Sequence, residues 1–213
     1  MDAAMKRVLR QQAEAVIEKM ERNNMKGYYA ASKAEAVEKV AELLHEGDTV
    51  AVGGSMSLEE AGVMALLRSG RYQFLDRYAP GLTREEIEEI YRRSFFADAY
   101  LCSSNAVTMN GELYNVDGNG NRVAAMLFGP RQVIVVAGTN KIVADMEEAK
   151  RRVEKIAAPA NVLRLGLSAP CTAAGECMHC RSDERICCDY VRIGMQRTPG
   201  RIKVIIVGET LGY

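Results

Sequence analysis

Residues 49–60 read Thr49-Val50-Ala51-Val52-Gly53-Gly54-Ser55-Met56-Ser57-Leu58-Glu59-Glu60. A short run of β-branched and small apolar residues fits a buried strand, and two glycines then turn the chain. Leu58, with Ala61 and Ala65 beyond it, begins a helical spacing that Met64 and Leu67 widen. Strand, glycine-rich turn and helix start in succession are the grammar of an α/β protein. The same turn is a candidate ligand loop. Gly53 and Gly54 let the backbone approach a ligand closely, and the N–H groups opening the next helix favour a phosphate or carboxylate. Ser55 and Ser57 can add hydroxyl donors, although Ser57 with Glu60 also has capping-box spacing. The turn is not a Walker A loop, and no Gly-x-Gly-x-x-Gly follows a strand.

The same alternation continues on both sides. Met5, Val8, Leu9, Ala13, Val16, Ile17 and Met20 form one face of an N-terminal helix within residues 1–26, with Gly27 expected to end that region. Ser32 and Glu35 cap a helix through Val37, Val40, Ala41 and Leu44, which Gly47 stops. Further strands are expected at 72–75, 99–102, 133–137 and 203–207. Thr83 with Glu86 and Asp145 with Glu148 cap two more helices, and 123–128 is expected to be helical. Residues 106–116 alternate around Asn110-Gly111, a hairpin signal. The reading is one α/β domain over 1–213, a mostly parallel sheet flanked by helices, with an N-terminal helical extension.

Composition sets limits. The 213 residues are 48% hydrophobic and 26% charged, ordinary for a globular chain. Lys+Arg and Asp+Glu balance at 28 each, which argues against a generally basic nucleic-acid binder. No apolar run approaches the roughly 20 residues of a bilayer span, and the N-terminus lacks a signal-peptide block. A cytoplasmic protein is expected, with no nucleic-acid or membrane partner. The N-terminal helix has a stripe that suits its own domain or a second copy, so a homo-oligomer stays open. The two histidines, His45 and His179, exclude a three-His zinc site. His45 fits a helix-dipole role.

A second candidate site follows the expected strand at 99–102. Residues 103–123 are dense in glycines and polar side chains, where open α/β sheets hold ligands. Glu112 and Asp117 are candidate acid/base carboxylates. Asn105, Thr108, Asn115, Gly118 and Asn121 are candidate ligand contacts, and Arg122 is a candidate anion clamp. Asn140 and Lys141 stand at the matching end of the 133–137 strand, where Lys141 can supply a second positive charge.

A third candidate lies in residues 168–192. Five of the six cysteines fall there, spaced Cys171-x5-Cys177-x2-Cys180-x6-Cys187-Cys188. Clustered thiols in a cytosolic chain point to metal or redox chemistry. Cys171, Cys177, Cys180 and Cys187 are the preferred ligands of a [4Fe–4S] cluster or of zinc, with Cys188 as alternative fourth ligand and a metal-free dithiol behind both. His179, inside the pair, is a further possible ligand. Cys102, on a strand, reads as core.

Taken together, VGGSMSLEEAG (52–62), SSNAVTMNGELYNVDGNGNRVAAMLFGP (103–130), VIVVAGTNKIV (133–143) and the C-terminal cysteine segment running into RIKVIIVGETLGY resemble the lactate-utilisation (LUD) domain family. The resemblance covers nearly the whole chain. It implies a fold like that of the ribose-5-phosphate isomerase, glucosamine-6-phosphate deaminase and CoA-transferase group, with ligand over glycine-rich loops at strand ends. It also implies a component of lactate or 2-hydroxyacid oxidation working beside iron–sulfur redox partner proteins. The chain looks like a short stand-alone form without their paired ferredoxin-type cysteine runs. The competing expectations are an enzyme acting on a small anionic metabolite (sugar phosphate, acyl-CoA or hydroxy acid) and a non-catalytic metabolite sensor.

Overall fold

The computed structural model describes residues 2–213; Met1, the first residue of the expected 1–26 extension, lies outside them. The chain opens with α1 (Ala3–Arg22), β1 (Lys26–Ala30), α2 (Lys33–Leu43), β2 (Thr49–Val52), α3 (Met56–Ala61), α4 (Val63–Leu67) and β3 (Gln73–Leu75). Then come α5 (Arg84–Arg93), β4 (Ala99–Cys102), β5 (Ala106–Thr108), β6 (Leu113–Asp117), α6 (Asn121–Leu127), β7 (Gln132–Gly138) and β8 (Ile142–Val143). It closes with α7 (Met146–Arg152), a π-helical turn at Val153–Ala157, α8 (Ala158–Arg164), α9 (Cys171–Ala174), β9 (Asp189–Ile193) and β10 (Ile202–Val207).

The main sheet has six strands in the order β1-β10-β7-β4-β2-β3, and every pairing is parallel. Parallel strands joined by crossover helices are covered on both faces, which is why β7 and β10 are near-continuous aliphatic runs. Side chains alternate between two cores. Val133 and Val135 of β7, with Val204 and Ile206 of β10, meet Ala13, Val16 and Met20 of α1. Ile134 and Val136 of β7, with Ile205 and Val207 of β10, meet Val40, Leu58, Val63 and Leu67 on the other side. The C-terminal half of the α1 stripe is therefore buried against its own sheet, while Met5 and Val8 stay exposed.

A smaller four-stranded sheet, β8-β5-β6-β9, stands beside the ends of these strands. The expected hairpin is its centre, β5 against β6 antiparallel, with β8 parallel to β5 and β9 antiparallel to β6. Ala149 and Val153 pack behind it on Ala106, Tyr114 and Val143.

Two local expectations are corrected. Gly27 does not end a helix: α1 stops at Asn23, Asn24 takes φ +58°, and Gly27 sits inside β1. A Cβ there would come within 2.7 Å of Ile17 Cγ2, so glycine is needed for close helix–strand approach. Ser55, not Ser57, caps α3, its hydroxyl accepting from Leu58 N at 3.2 Å. The cysteine segment holds α9 and, at its end, the start of β9. Among the described residues no helix is long and apolar enough to cross a membrane.

Candidate functional site

The loops after β2, β4 and β7 meet above the carboxyl ends of three adjacent parallel strands, where an α/β sheet opens a crevice. A cavity of about 300 Å³ lies there. Gly54, Ser55 and Ser57 form one wall, and Asn105, Asp117, Gly118, Asn121 and Arg122 another. Lys141 reaches it from the end of β7. Three candidate stretches far apart in sequence thus face one space.

Arg122 organises that wall. Its Nε donates to Asp117 Oδ1 at 2.9 Å, Nη1 to Ser103 O at 2.9 Å and Asn115 Oδ1 at 2.6 Å, and Nη2 to Asn105 Oδ1 at 2.9 Å and Val116 O at 3.1 Å. These bonds occupy the full donor fork of a guanidinium. The expected anion clamp is therefore a buried brace that holds the second candidate stretch in shape. Asp117 is equally engaged, since its Oδ2 accepts from Val123 N at 3.0 Å.

The remaining candidates lie behind the wall or away from it. Gly53 has Arg122 and Tyr100 so close that a Cβ would stand 3.0 Å from Arg122 Cδ and from the Tyr100 hydroxyl. Asn115 is fully buried as an acceptor for Arg122. Asn140 binds Leu211 N at 3.1 Å and Gly212 O at 3.1 Å, tying down the C-terminal residues. Thr108 is buried in the hairpin and accepts from Glu112 N. Glu112, expected as an acid/base carboxylate, does not line the cavity and pairs with Arg192 Nε at 3.1 Å. It stands at the hairpin turn and is held by β9, so it is set aside as a proton carrier for this cavity.

Lys141 is the unusual group. It is 3% exposed, and its Nζ donates to Ser57 Oγ and Ser103 Oγ, each at 3.0 Å. Burial, then the nearby Arg152 and Arg122 guanidiniums, pull its pKa down to about 7. Arg152 is itself lowered by burial, with Nε on Asn140 O and Nη1 on Asn105 O.

Other lining groups had no sequence signal. Arg77 and Tyr78 come from the loop after β3, Arg164 from α8, and Arg185 from the cysteine segment. Arg77 stacks on Tyr91 at 4.5 Å, Arg164 bonds Asn161 Oδ1 at 2.8 Å, and Arg185 bonds Cys187 O at 2.7 Å. Among the described residues none of these three pairs with a carboxylate. Tyr213 also lines the cavity; its hydroxyl is buried without a hydrogen bond of ordinary geometry, and burial raises its pKa, which the nearby Arg164 only partly offsets.

Cys171, Cys177, Cys180 and Cys187 border one small cavity of about 20 Å³, with Ala158, Val162 and Ala169 as apolar neighbours. Cys188 is exposed and does not border it. All six cysteines are free, and Cys102 is core, burial pushing its thiol up to about 12. Burial, then Cys177, raises Cys187 to about 11, which disfavours a metal-free reactive thiolate. Among the described residues no three His, Cys, Asp or Glu gather closely enough to hold one ion. The four thiols are the right donor type for a soft metal and share a cavity, but would have to close further on it. His179 is exposed, its Nδ1 3.9 Å from Cys177 Sγ. His45 lies beyond the end of α2, its backbone N donating to Asp48 Oδ2.

A family model described as LUD domain matches residues 13–207. Among solved structures, a DUF162 family protein from Deinococcus radiodurans aligns at 18% identity with a TM-score of 0.52, covering 95% of this chain and 98% of that one. The eIF2B delta subunit from Chaetomium thermophilum aligns at 19% identity with a TM-score of 0.36, over 56% of this chain and 51% of its own. The beta subunit from the same organism gives 16%, 0.36, 54% and 44%. The first likeness is one of fold. No curated protein matches the sequence.

Proposed function

The chain belongs to the LUD domain family, and on that premise we propose that it binds a small organic anion in the cavity above β2, β4 and β7. One observation carries the reading: among the described residues Arg77, Arg164 and Arg185 face the cavity without a carboxylate partner, while its one lining acidic side chain, Asp117, is bonded to Arg122. Cationic groups of one sign around a partly enclosed, low-dielectric space focus a positive field on it, although the protein as a whole has formal net charge +0. A carboxylate or phosphate supplies the counter-charge, and the planar guanidiniums suit either. About 300 Å³ is the size of a small-metabolite site.

A 2-hydroxy acid is the first ligand to test, in keeping with a part in lactate or 2-hydroxyacid utilisation; a sugar phosphate and an acyl-CoA are the alternatives. Calorimetric titration with lactate, ribose 5-phosphate and acetyl-CoA separates them. Arg164 is exposed, so Arg164→Glu leaves the fold intact. It should weaken the binding by about tenfold or more, the scale of a lost charge-assisted hydrogen bond. Equal affinity in the variant, or no binding of any of the three, would overturn the reading. Turnover of the bound ligand separates an enzyme from a sensor.

A second reading adds a zinc ion or a [4Fe–4S] cluster on Cys171, Cys177, Cys180 and Cys187. Its support is their common cavity, which shares Ala158, Arg185, Ile186 and Cys187 with the anion cavity. A cluster there would serve electron exchange with a redox partner protein.

A further inference from the structure

Lys141 does more than a binding charge requires. A lysine that only attracts an anion works best protonated, solvated at its tip and free to move. This one is buried at the end of β7, fixed between two serine hydroxyls, and open to the ligand cavity. Among the described residues it is the only buried lysine. Cationic Arg152 and Arg122 stand near it, and Glu60 and Cys102 oppose them more weakly. Desolvation beside other cations is the environment that makes a lysine amine nucleophilic.

Resting on the anion-binding reading above, we propose that Lys141 forms an imine with a small carbonyl compound that carries a carboxylate or phosphate. The Nζ lone pair adds to the carbonyl carbon, and the π electrons move to oxygen, which takes a proton. The carbinolamine then loses water as the C=N bond forms. The carbonyl oxygen and the two amine hydrogens leave together as that water, so no oxidant or reductant is needed. Arg77, Arg164 and Arg185 hold the anionic end, leaving the amine to react. Ser57 Oγ and Ser103 Oγ, each 3.0 Å from Nζ, are placed to pass the proton to the carbonyl oxygen. Near neutral pH, with its pKa at about 7, Lys141 holds a neutral amine fraction roughly a thousandfold above that of an exposed lysine.

The test is reductive trapping. The full chain is incubated at neutral pH with pyruvate in one arm and glycolaldehyde phosphate in the other, then treated with sodium borohydride. Intact mass and peptide mapping locate the adduct, while calorimetry follows binding of lactate and of glycerol 3-phosphate, which have no aldehyde or ketone to trap. The inference expects one adduct, on Lys141, at least about tenfold above any other lysine. It also expects that adduct to vanish in Lys141→Met; should the variant not fold, the wild-type peptide map alone decides the matter. The arm that labels tells which anionic group the site takes. Binding of an anion with no adduct, or with adducts scattered over exposed lysines, overturns the imine and leaves the anion site standing. Loss of both binding and adduct overturns the two together.

Discussion

At the scale of single residues, the site is governed by how two buried cations are treated. Arg122 has every donor matched inside the protein, so its charge is neutralised and its position set. Lys141 has two neutral hydroxyls and no carboxylate in contact, and burial, only weakly opposed by Glu60, lowers its folded-state pKa from 10.5 to about 7. The sign follows from proton linkage. Between about pH 7 and about pH 10 the unfolded chain holds a proton at this lysine that the folded chain lacks. Its contribution to stability therefore rises with pH across that window. Below about pH 7 both states are protonated, and the full cost of burying the charge applies. Urea unfolding at several pH values should show wild-type stability gaining on the order of a few kcal/mol across the window relative to Lys141→Met. Parallel pH curves for the two proteins would contradict the burial of a chargeable amine. That Lys141 stands at a strand end beside the other candidate loops was legible from its place after an apolar strand; its burial, and the saturation of Arg122, depended on loops distant in sequence.

At the scale of elements, the hairpin of β5 and β6 shows the same division. Asn110-Gly111 announced the turn, because a tight hairpin needs positive φ, and Gly111 has φ +73°. What the turn touches was not announced. A Cβ on Gly111 would lie 2.5 Å from Met20 N in α1, and Asn23 Nδ2 donates to the Asn110 and Gly111 carbonyls at 2.9 and 3.2 Å. The glycine is held both by its dihedral angle and by a neighbouring helix. Gly111→Ala should lower stability by about 1–3 kcal/mol, read as a lower urea midpoint with an unchanged slope. A change within experimental error would mean that α1 yields at this contact. Elsewhere, capping patterns located the starts of α2, α5 and α7, because a cap is a local hydrogen bond. Ser57 misled for the same reason: Ser55 has the competing spacing, and tertiary bonds to Leu211 O and Lys141 Nζ claimed Ser57 instead.

At the scale of the whole molecule, two sheets and the returning cysteine segment close one cavity from pieces that span the chain, from Gly54 to Tyr213. Arg185 joins the two candidate centres, bonding the Cys180 and Cys187 carbonyls while facing the anion cavity. Metal occupancy at the thiols would therefore also reshape the anion site. Anaerobic purification followed by metal and sulfide analysis should find close to one zinc, or iron with matching labile sulfide, per chain, lost on Cys177→Ser. Zinc without sulfide would remove the electron-carrier role, and a metal-free protein would remove the centre altogether.

The α/β class, the parallel strands and most helix starts are written in the chain itself, because they follow from periodicity, turn chemistry and caps that act over a few residues. The loops that carry the polar groups are marked there too. Which of those groups line the shared cavity was settled by long-range packing alone. Glu112 went to an ion pair, Arg122 to a brace and Lys141 to a buried amine, while Arg77 and Arg164 arrived from segments with no motif and Arg185 from the cysteine segment. Burial and charge pairing are sums over neighbours in space, and a linear pattern holds no record of them.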